Sequence, residues 1–222
     1  MELKGLTINF LGDSITEGVG ASSKDMLYHA VLKRNAELKE VRNYGISATR
    51  FAIQKGTPAR PKNDYVDVMS FSERFDQMSD DADAVVVFGG TNDYGHGDAK
   101  FGEFTDRTPD TFYGACHYLF SGLIKKYLGK PIIIMTPLHR CNEEENTGLL
   151  NGRGHYTLLD YVTAIRRVAE YYSLPVLDLY ASSGLQPEIA EVRERFVPDG
   201  LHPNDAGHAV IAHKLQMFLQ NL

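Results

Sequence analysis

The sequence predicts an α/β protein in which one parallel β-sheet is covered by helices on both faces. Short continuous apolar runs recur along the chain, each closing on a turn signal, which is the pattern of strands buried on both sides. Segments with the 3.6-residue apolar period of helices lie between them. The chain has 222 residues, 43% of them hydrophobic and 23% charged. That length and composition suit one sizeable globular core and exclude a coiled coil, a collagen-like fibre or a disordered chain.

In chain order, Leu6–Leu11 runs to Gly12, Val41–Tyr44 to Gly45 and Ala84–Phe88 to Gly89-Gly90. Ile132–Met135 runs to Thr136-Pro137, and Pro175–Leu179 supplies a fifth strand candidate. A turn of helix is expected to follow Asp13-Ser14. The spacing predicts a helix capped by Thr108, opened by Pro109 and striped by Cys116, Leu119, Phe120, Leu123 and Tyr127. Another stripe runs through Leu158, Tyr161, Val162, Ile165, Val168, Ala169 and Tyr172, and a last helix after Asn204 or Asp205 carries Ile211, Leu215, Phe218 and Leu222. Residues 47–83 and 138–154 show no clear period and read as long loops of the kind that often bind ligands. No repeat or linker divides the chain, so residues 1–222 are expected to form a single domain.

Acidic residues number 29 against 23 basic ones, a formal net charge of −6. With no dense basic block, nucleic acid and anionic membranes are poor partners. No apolar stretch approaches eighteen residues and the N-terminus lacks a signal-peptide core, so neither membrane insertion nor export is expected and the cytoplasm is the expected location. Cys116 and Cys141 are too few for a disulfide framework, and Cys116, within a helical stripe, reads as a core thiol. Gly95-His96-Gly97 lacks the further ligands of a metal site, so no metal and no cofactor are expected.

Ligands of open parallel sheets bind beyond the carboxyl ends of the strands. Four polar turns fall at such ends or in the last loop: Gly12-Asp13-Ser14, Gly45, Gly90-Thr91-Asn92-Asp93 and Asp199-Gly200-Leu201-His202. Ser14 offers a hydroxyl nucleophile that needs a base. His202 offers that base, and Asp199, three residues earlier, can fix its tautomer. Asn92 can donate two amide hydrogens to a developing oxyanion, and Gly45 can bring a main-chain N–H close. Each turn alone is also an ordinary cap or Asx turn; their coincidence in this order is what carries information.

In these blocks the chain resembles the SGNH hydrolases, the GDSL family of esterases and lipases. The matching segments are Gly12-Asp13-Ser14-Ile15-Thr16-Glu17-Gly18, Asn43-Tyr44-Gly45-Ile46-Ser47, Gly90-Thr91-Asn92-Asp93 and Asp199-Gly200-Leu201-His202-Pro203-Asn204. The resemblance implies a flavodoxin-like three-layer α/β/α sandwich with a five-stranded parallel sheet of order 2-1-3-4-5. It implies Ser14 as nucleophile, His202 as general base and acid, Asp199 as its partner, and an oxyanion hole from the Ser14 and Gly45 N–H groups and the Asn92 side chain. Ile15 replaces the leucine of the family name, and Ala48 stands where many members have glycine.

The expected function is hydrolysis of small-molecule carboxylic esters through an acyl-enzyme, with short acyl groups such as acetyl, on a carbohydrate-type alcohol, as the favoured substrates. Asp13, Tyr94, His96 and His139 are candidate substrate-binding residues, and the loops also carry Arg50, Phe51, Arg60, Tyr65 and Arg140. The competing readings are a lysophospholipase or thioesterase of the same family and a non-catalytic flavodoxin-like ligand-binding module. Oligomeric state has no signature in the sequence.

Overall fold

The computed structural model describes residues 1–53, 69–145 and 156–222; Arg60 and Tyr65 lie outside the described residues. The elements in chain order are β1 (Thr7–Gly12), α1 (Ser14–Glu17), α2 (Tyr28–Asn35), β2 (Glu40–Gly45), α3 (Phe71–Arg74), β3 (Ala84–Phe88), α4 (Thr91–Gly95) and α5 (Phe112–Lys126). They continue with β4 (Ile132–Met135), α6 (Leu158–Tyr171), β5 (Val176–Leu177), α7 (Leu179–Ser182), α8 (Ala190–Phe196) and α9 (Asp205–Gln220). All five strands are parallel, in the order β2-β1-β3-β4-β5. This is the sheet order of the flavodoxin-like sandwich, with β1 in the interior between β2 and β3.

Successive residues of a strand face opposite sides, and β3 shows how the sheet uses this. Val85 and Val87 pack with Leu119 and Phe120 of α5 and Val162 and Ile165 of α6. Ala84, Val86 and Phe88 pack on the other side with Tyr28 and Leu32 of α2 and Ile211 and Leu215 of α9. Cys116 is fully buried in the first of these layers, as its place in the stripe requires. Asn9 interrupts the apolar run of β1, and its amide nitrogen is satisfied by donating to Ser79 O at 2.8 Å and Tyr127 Oη at 3.1 Å, while Oδ1 is buried without a partner.

Two expectations need correction. The helix after Phe101 begins three residues late: Thr111, not Thr108, is the N-cap, its Oγ1 accepting the Gly114 N–H at 3.1 Å. Pro109 lies in the preceding turn, where its carbonyl accepts the Ile53 N–H at 2.8 Å. The fifth strand is only Val176–Leu177, because Asp178 turns the chain into α7 by accepting the Ala181 N–H at 3.1 Å. Within the aperiodic 47–83 stretch, α3 forms on a capping box in which Glu73 accepts the Ser70 N–H at 2.7 Å. Among the described residues no helix is long and apolar enough to cross a membrane.

Candidate active site

The strand register aligns Gly12 with Gly45 of β2 and with Phe88 of β3, so three carboxyl ends form one row across the sheet. Ser14 opens α1 directly above that row. Asp13 caps this helix, its Oδ1 accepting the Ile15 N–H at 3.0 Å. The cap is almost sealed from solvent, at 2% exposure, and burial pushes the Asp13 carboxyl up to about 7. The Ile15 N–H works against that rise, nearby Asp93 adds to it and Arg74 opposes it.

His202 comes from the loop between α8 and α9. Its Nε2 lies 3.0 Å from Ser14 Oγ, and its Nδ1 lies 2.7 Å from Asp199 Oδ2. The other carboxylate oxygen of Asp199 accepts the N–H groups of Leu201 at 2.9 Å and His202 at 2.6 Å. Burial raises the Asp199 carboxyl, but the hydrogen bonds from His202 and Leu201 outweigh it and hold the group below its ordinary value. An ionised Asp199 accepts from Nδ1–H, which leaves Nε2 to accept the Ser14 hydroxyl hydrogen. The loop is held on its far side by Asn204, which caps α9 by accepting the Ala206 and Gly207 N–H groups at 3.0 and 3.1 Å.

On the opposite flank, Asn92 is the second residue of α4, which starts behind Gly90 at φ +106°. One Asn92 amide hydrogen is already committed to Thr49 O at 3.0 Å, so one rather than two remains for a ligand. Neighbouring Asp93 accepts the Phe51 and Ala52 N–H groups at 2.9 and 3.1 Å, and its own burial pushes it up to about 6. Adjacent residues of α4 thus pin the 49–52 segment to the site. Arg74 of α3 completes the tie: its guanidinium donates to Tyr44 O at 2.6 Å and to Gly12 O at 2.7 Å, clamping the ends of β2 and β1.

The expectation for Gly45 is corrected by its surroundings. Its N–H donates to Asn43 Oδ1 at 2.7 Å. A Cβ there would sit 2.2 Å from Glu17 N and 2.6 Å from Thr16 C, so glycine is required for β2 to approach α1, not to serve the cleft. Three residues on, Ala48 adopts φ +61°, a left-handed conformation uncommon outside glycine. The turn carrying it is folded over β1 by Ile46 N–H donating to Gly12 O at 3.1 Å and closed by Thr49 Oγ1 donating to Ile46 O at 2.7 Å.

The profile of the GDSL-like Lipase/Acylhydrolase family matches residues 10–210, which takes in every residue of this cluster. The chain belongs to that family. It is an ester-bond hydrolase. A solved structure from Lactobacillus plantarum is 31% identical, with 99% of this chain and 98% of that chain covered, at a TM-score of 0.81. Two more distant structures share the fold: a possible lipase from Chitinophaga pinensis (22% identity, 97% and 98% covered, TM-score 0.70) and the lipase/acylhydrolase from Enterococcus faecalis (19%, 97% and 96%, 0.64). No curated protein matches the chain.

Around the hydrolase site, the expected pocket residues divide. Asp13 and His139 both border a small cleft, together with Ile15, Thr91, Leu138 and Leu201. The Asp13 carboxyl, however, is occupied as a cap. His139 Nδ1 is 2.7 Å from Glu143 Oε1, and its ring packs on Tyr180 with centroids 3.9 Å apart. Tyr94 is not a pocket residue: it is 1% exposed, and its hydroxyl reaches the carbonyls of Asn142 and Glu145 at 2.6 and 2.9 Å. His96 Nδ1 is 3.2 Å from Arg50 Nη1, and Arg50 and Phe51 are buried, so the 50–51 segment is scaffold rather than rim. Among the described residues no cluster of three or more metal-ligating side chains occurs.

Proposed function

We propose that Ser14, His202 and Asp199 carry out ester hydrolysis through an acyl-enzyme. The observation that carries this reading is the continuous hydrogen-bonded line from Ser14 Oγ through His202 to Asp199. Ser14 Oγ attacks the ester carbonyl while its proton passes to His202 Nε2, and the carbonyl oxygen becomes the oxyanion. Collapse breaks the bond to the alcohol, whose oxygen takes the proton from His202. Water then attacks the acyl group, gives its proton to His202, and releases the acid as the proton returns to Ser14 Oγ.

The oxyanion donors in this reading are the Ser14 N–H, the remaining Asn92 amide hydrogen and the Ala48 N–H. Ala48 takes the place expected of Gly45 because the Gly45 N–H is consumed by Asn43, whereas the Ala48 N–H meets no acceptor among the described residues. Short acyl groups, with acetyl first, on a carbohydrate-type alcohol remain the favoured substrates. The narrow cleft bordered by Ile15, Thr91, Leu138 and Leu201 offers no channel for a long acyl chain, which favours a short one, and His139 on its border is a polar neighbour for the alcohol. One observation favours longer chains: Val19 and Ile46, 41% and 38% exposed, follow Ser14 and Gly45 closely in the chain.

The test is a series of aryl esters from acetate to long acyl chains, run beside acetylated sugars, with Ser14→Ala as control. Rates that peak at acetate and vanish in Ser14→Ala are expected. A rise toward long chains overturns the short-chain assignment, and full turnover by Ser14→Ala overturns the nucleophile.

A further inference from the structure

Arg140 follows β4 and leans over the start of α4. Its Nη1 is 3.3 Å from both Thr91 O and Thr91 Oγ1, immediately before Asn92. A Cβ on Gly95 would lie 2.7 Å from the same Nη1, so the guanidinium covers α4 from Thr91 to Gly95. Its Cζ is 5.6 Å from the centroid of the Tyr94 ring, and Tyr94 is itself buried and anchored by its hydroxyl. An aromatic face and a helix start therefore fix the plane of this cation.

What the guanidinium lacks is a counter-ion. No carboxylate among the described residues forms an ion pair with it, although the adjoining loop carries Glu143, Glu144 and Glu145. Glu143 is turned away, to the main-chain N–H of Arg140 at 3.1 Å and to His139. Arg140 Nε is buried without any acceptor, and Nη2 makes no hydrogen bond among the described residues. Burial already lowers the Arg140 pKa; Tyr94, Asp13 and Asp199 oppose this from a distance. With Nε sealed from solvent and Nη1 engaged by Thr91, the Nη2 end of the guanidinium is the part left open, a charged donor held in place of the kind that binds a carboxylate or phosphate.

Arg140 adjoins the loop that carries His202, and Asp13 and Asp199 are near enough to act on its charge. The next residue, Cys141, donates its N–H to Gly200 O at 2.8 Å, inside the loop that carries Asp199 and His202. His202 must deliver its proton to the leaving alcohol, so a group tied to this loop lies beside the alcohol rather than the acyl chain. From this geometry we infer that Arg140 is a specificity-determining residue that binds an anionic group, carboxylate or phosphate in type, carried by the alcohol portion of the ester. The inference rests on the ester-hydrolysis reading and adds a substrate class to it.

The test compares 4-acetoxybenzoate with 4-acetoxybenzamide, which share the acetyl group and differ in the charge on the alcohol portion. The wild-type protein should favour the anion in kcat/KM by about tenfold or more, and 0.5 M salt should erode that preference. Arg140→Gln should abolish the preference, while Arg140→Lys should retain part of it, as a charge without the guanidinium. In the wild-type protein alone, 4-hydroxybenzoate should inhibit more strongly than 4-hydroxybenzamide, a readout that does not depend on any variant folding. A wild-type protein that hydrolyses both esters equally, or an Arg140→Gln protein that keeps the preference, overturns the role of Arg140. A preference that appears only for an acyl-side anion, tested with a monoaryl succinate against the aryl butyrate, overturns the alcohol-side placement. Absence of Ser14-dependent hydrolysis of either ester overturns the underlying enzymatic reading instead.

Discussion

Replacing Asp13 by asparagine (Asp13→Asn) should stabilise the protein, and by an amount that grows with pH. The amide keeps the oxygen that accepts the Ile15 N–H at 3.0 Å but removes a carboxyl that is 2% exposed. Folding moves that carboxyl from 3.8 to about 7, so below pH 4 it is protonated in both states and costs nothing extra. Between pH 4 and 7 the unfolded chain ionises it and the folded chain does not, so stability falls as pH rises; above 7 the full penalty is present. At 1.36 kcal/mol per tenfold change in proton affinity, that penalty is about 4 kcal/mol, of which about 2–3 kcal/mol develops between pH 5 and 8. Urea unfolding of both proteins at pH 5 and pH 8 measures it. An advantage of the Asp13→Asn variant that stays constant, or shrinks, as pH rises would refute the reasoning that burial of this cap disfavours its charge.

If Asn92 is an oxyanion donor as proposed, Asn92→Ala should lower kcat by about 10²–10³-fold, or roughly 2.7–4 kcal/mol of transition-state stabilisation, with a circular dichroism spectrum like that of the parent. A loss of less than threefold would show that Asn92 does only the work of holding Thr49. Gly45→Ala places a Cβ 2.2 Å from Glu17 N, and overpacking of this kind costs about 1–3 kcal/mol; unchanged thermal stability would contradict the close packing of β2 on α1. Burial lowers His29 and His208 to about 4, so their contribution is complete above pH 6.5 and is lost as pH falls through 4. That is on the order of 3 kcal/mol for each. His208→Asn, which retains an acceptor for the Tyr28 N–H that now donates to Nδ1 at 3.2 Å, should flatten the acid side of the stability curve, and an unaltered slope in urea titrations from pH 7 to 4.5 would count against it.

The legible parts of this fold are those governed by periodicity. β3 and β4 are continuous apolar runs and α6 is a stripe, and each begins and ends within a residue or so of where the pattern places it. α8 has no buried residue, so no stripe could announce it. α2 does leave a trace, since Leu27, Val31 and Leu32 are buried at helical spacing, but eight residues give a weak signal against the 3₁₀ turn at Lys24–Met26 before it. Thr108 is as good a cap as Thr111 on residue type alone; in the fold Thr111 Oγ1 takes the Gly114 N–H, and Gly114 lies so close to the Thr108 carbonyl that a Cβ would be 2.0 Å from it.

At the site, legibility follows a different rule. Ser14, Asp199 and His202 sit in short turns whose residue types have few other uses in combination, and the packing of α9 against α2 brings the His202 loop back to Ser14. Gly45 fails as a donor because a glycine in a motif has two physical meanings, a free N–H or a missing Cβ, and one sequence does not separate them. Here the missing Cβ explains the residue, since Glu17 N and Thr16 C occupy the space. Arg74 is invisible in the sequence for the opposite reason: it lies in an aperiodic stretch, yet its guanidinium reaches Gly12 O, Tyr44 O and Thr49 Oγ1 at 2.7, 2.6 and 3.2 Å. Buried carbonyls at strand ends must find donors, and nothing in local sequence says which distant side chain supplies them. The motif residues that would perform the chemistry are therefore local and readable, while the groups that hold them in place are dispersed along the chain and become visible only when it folds.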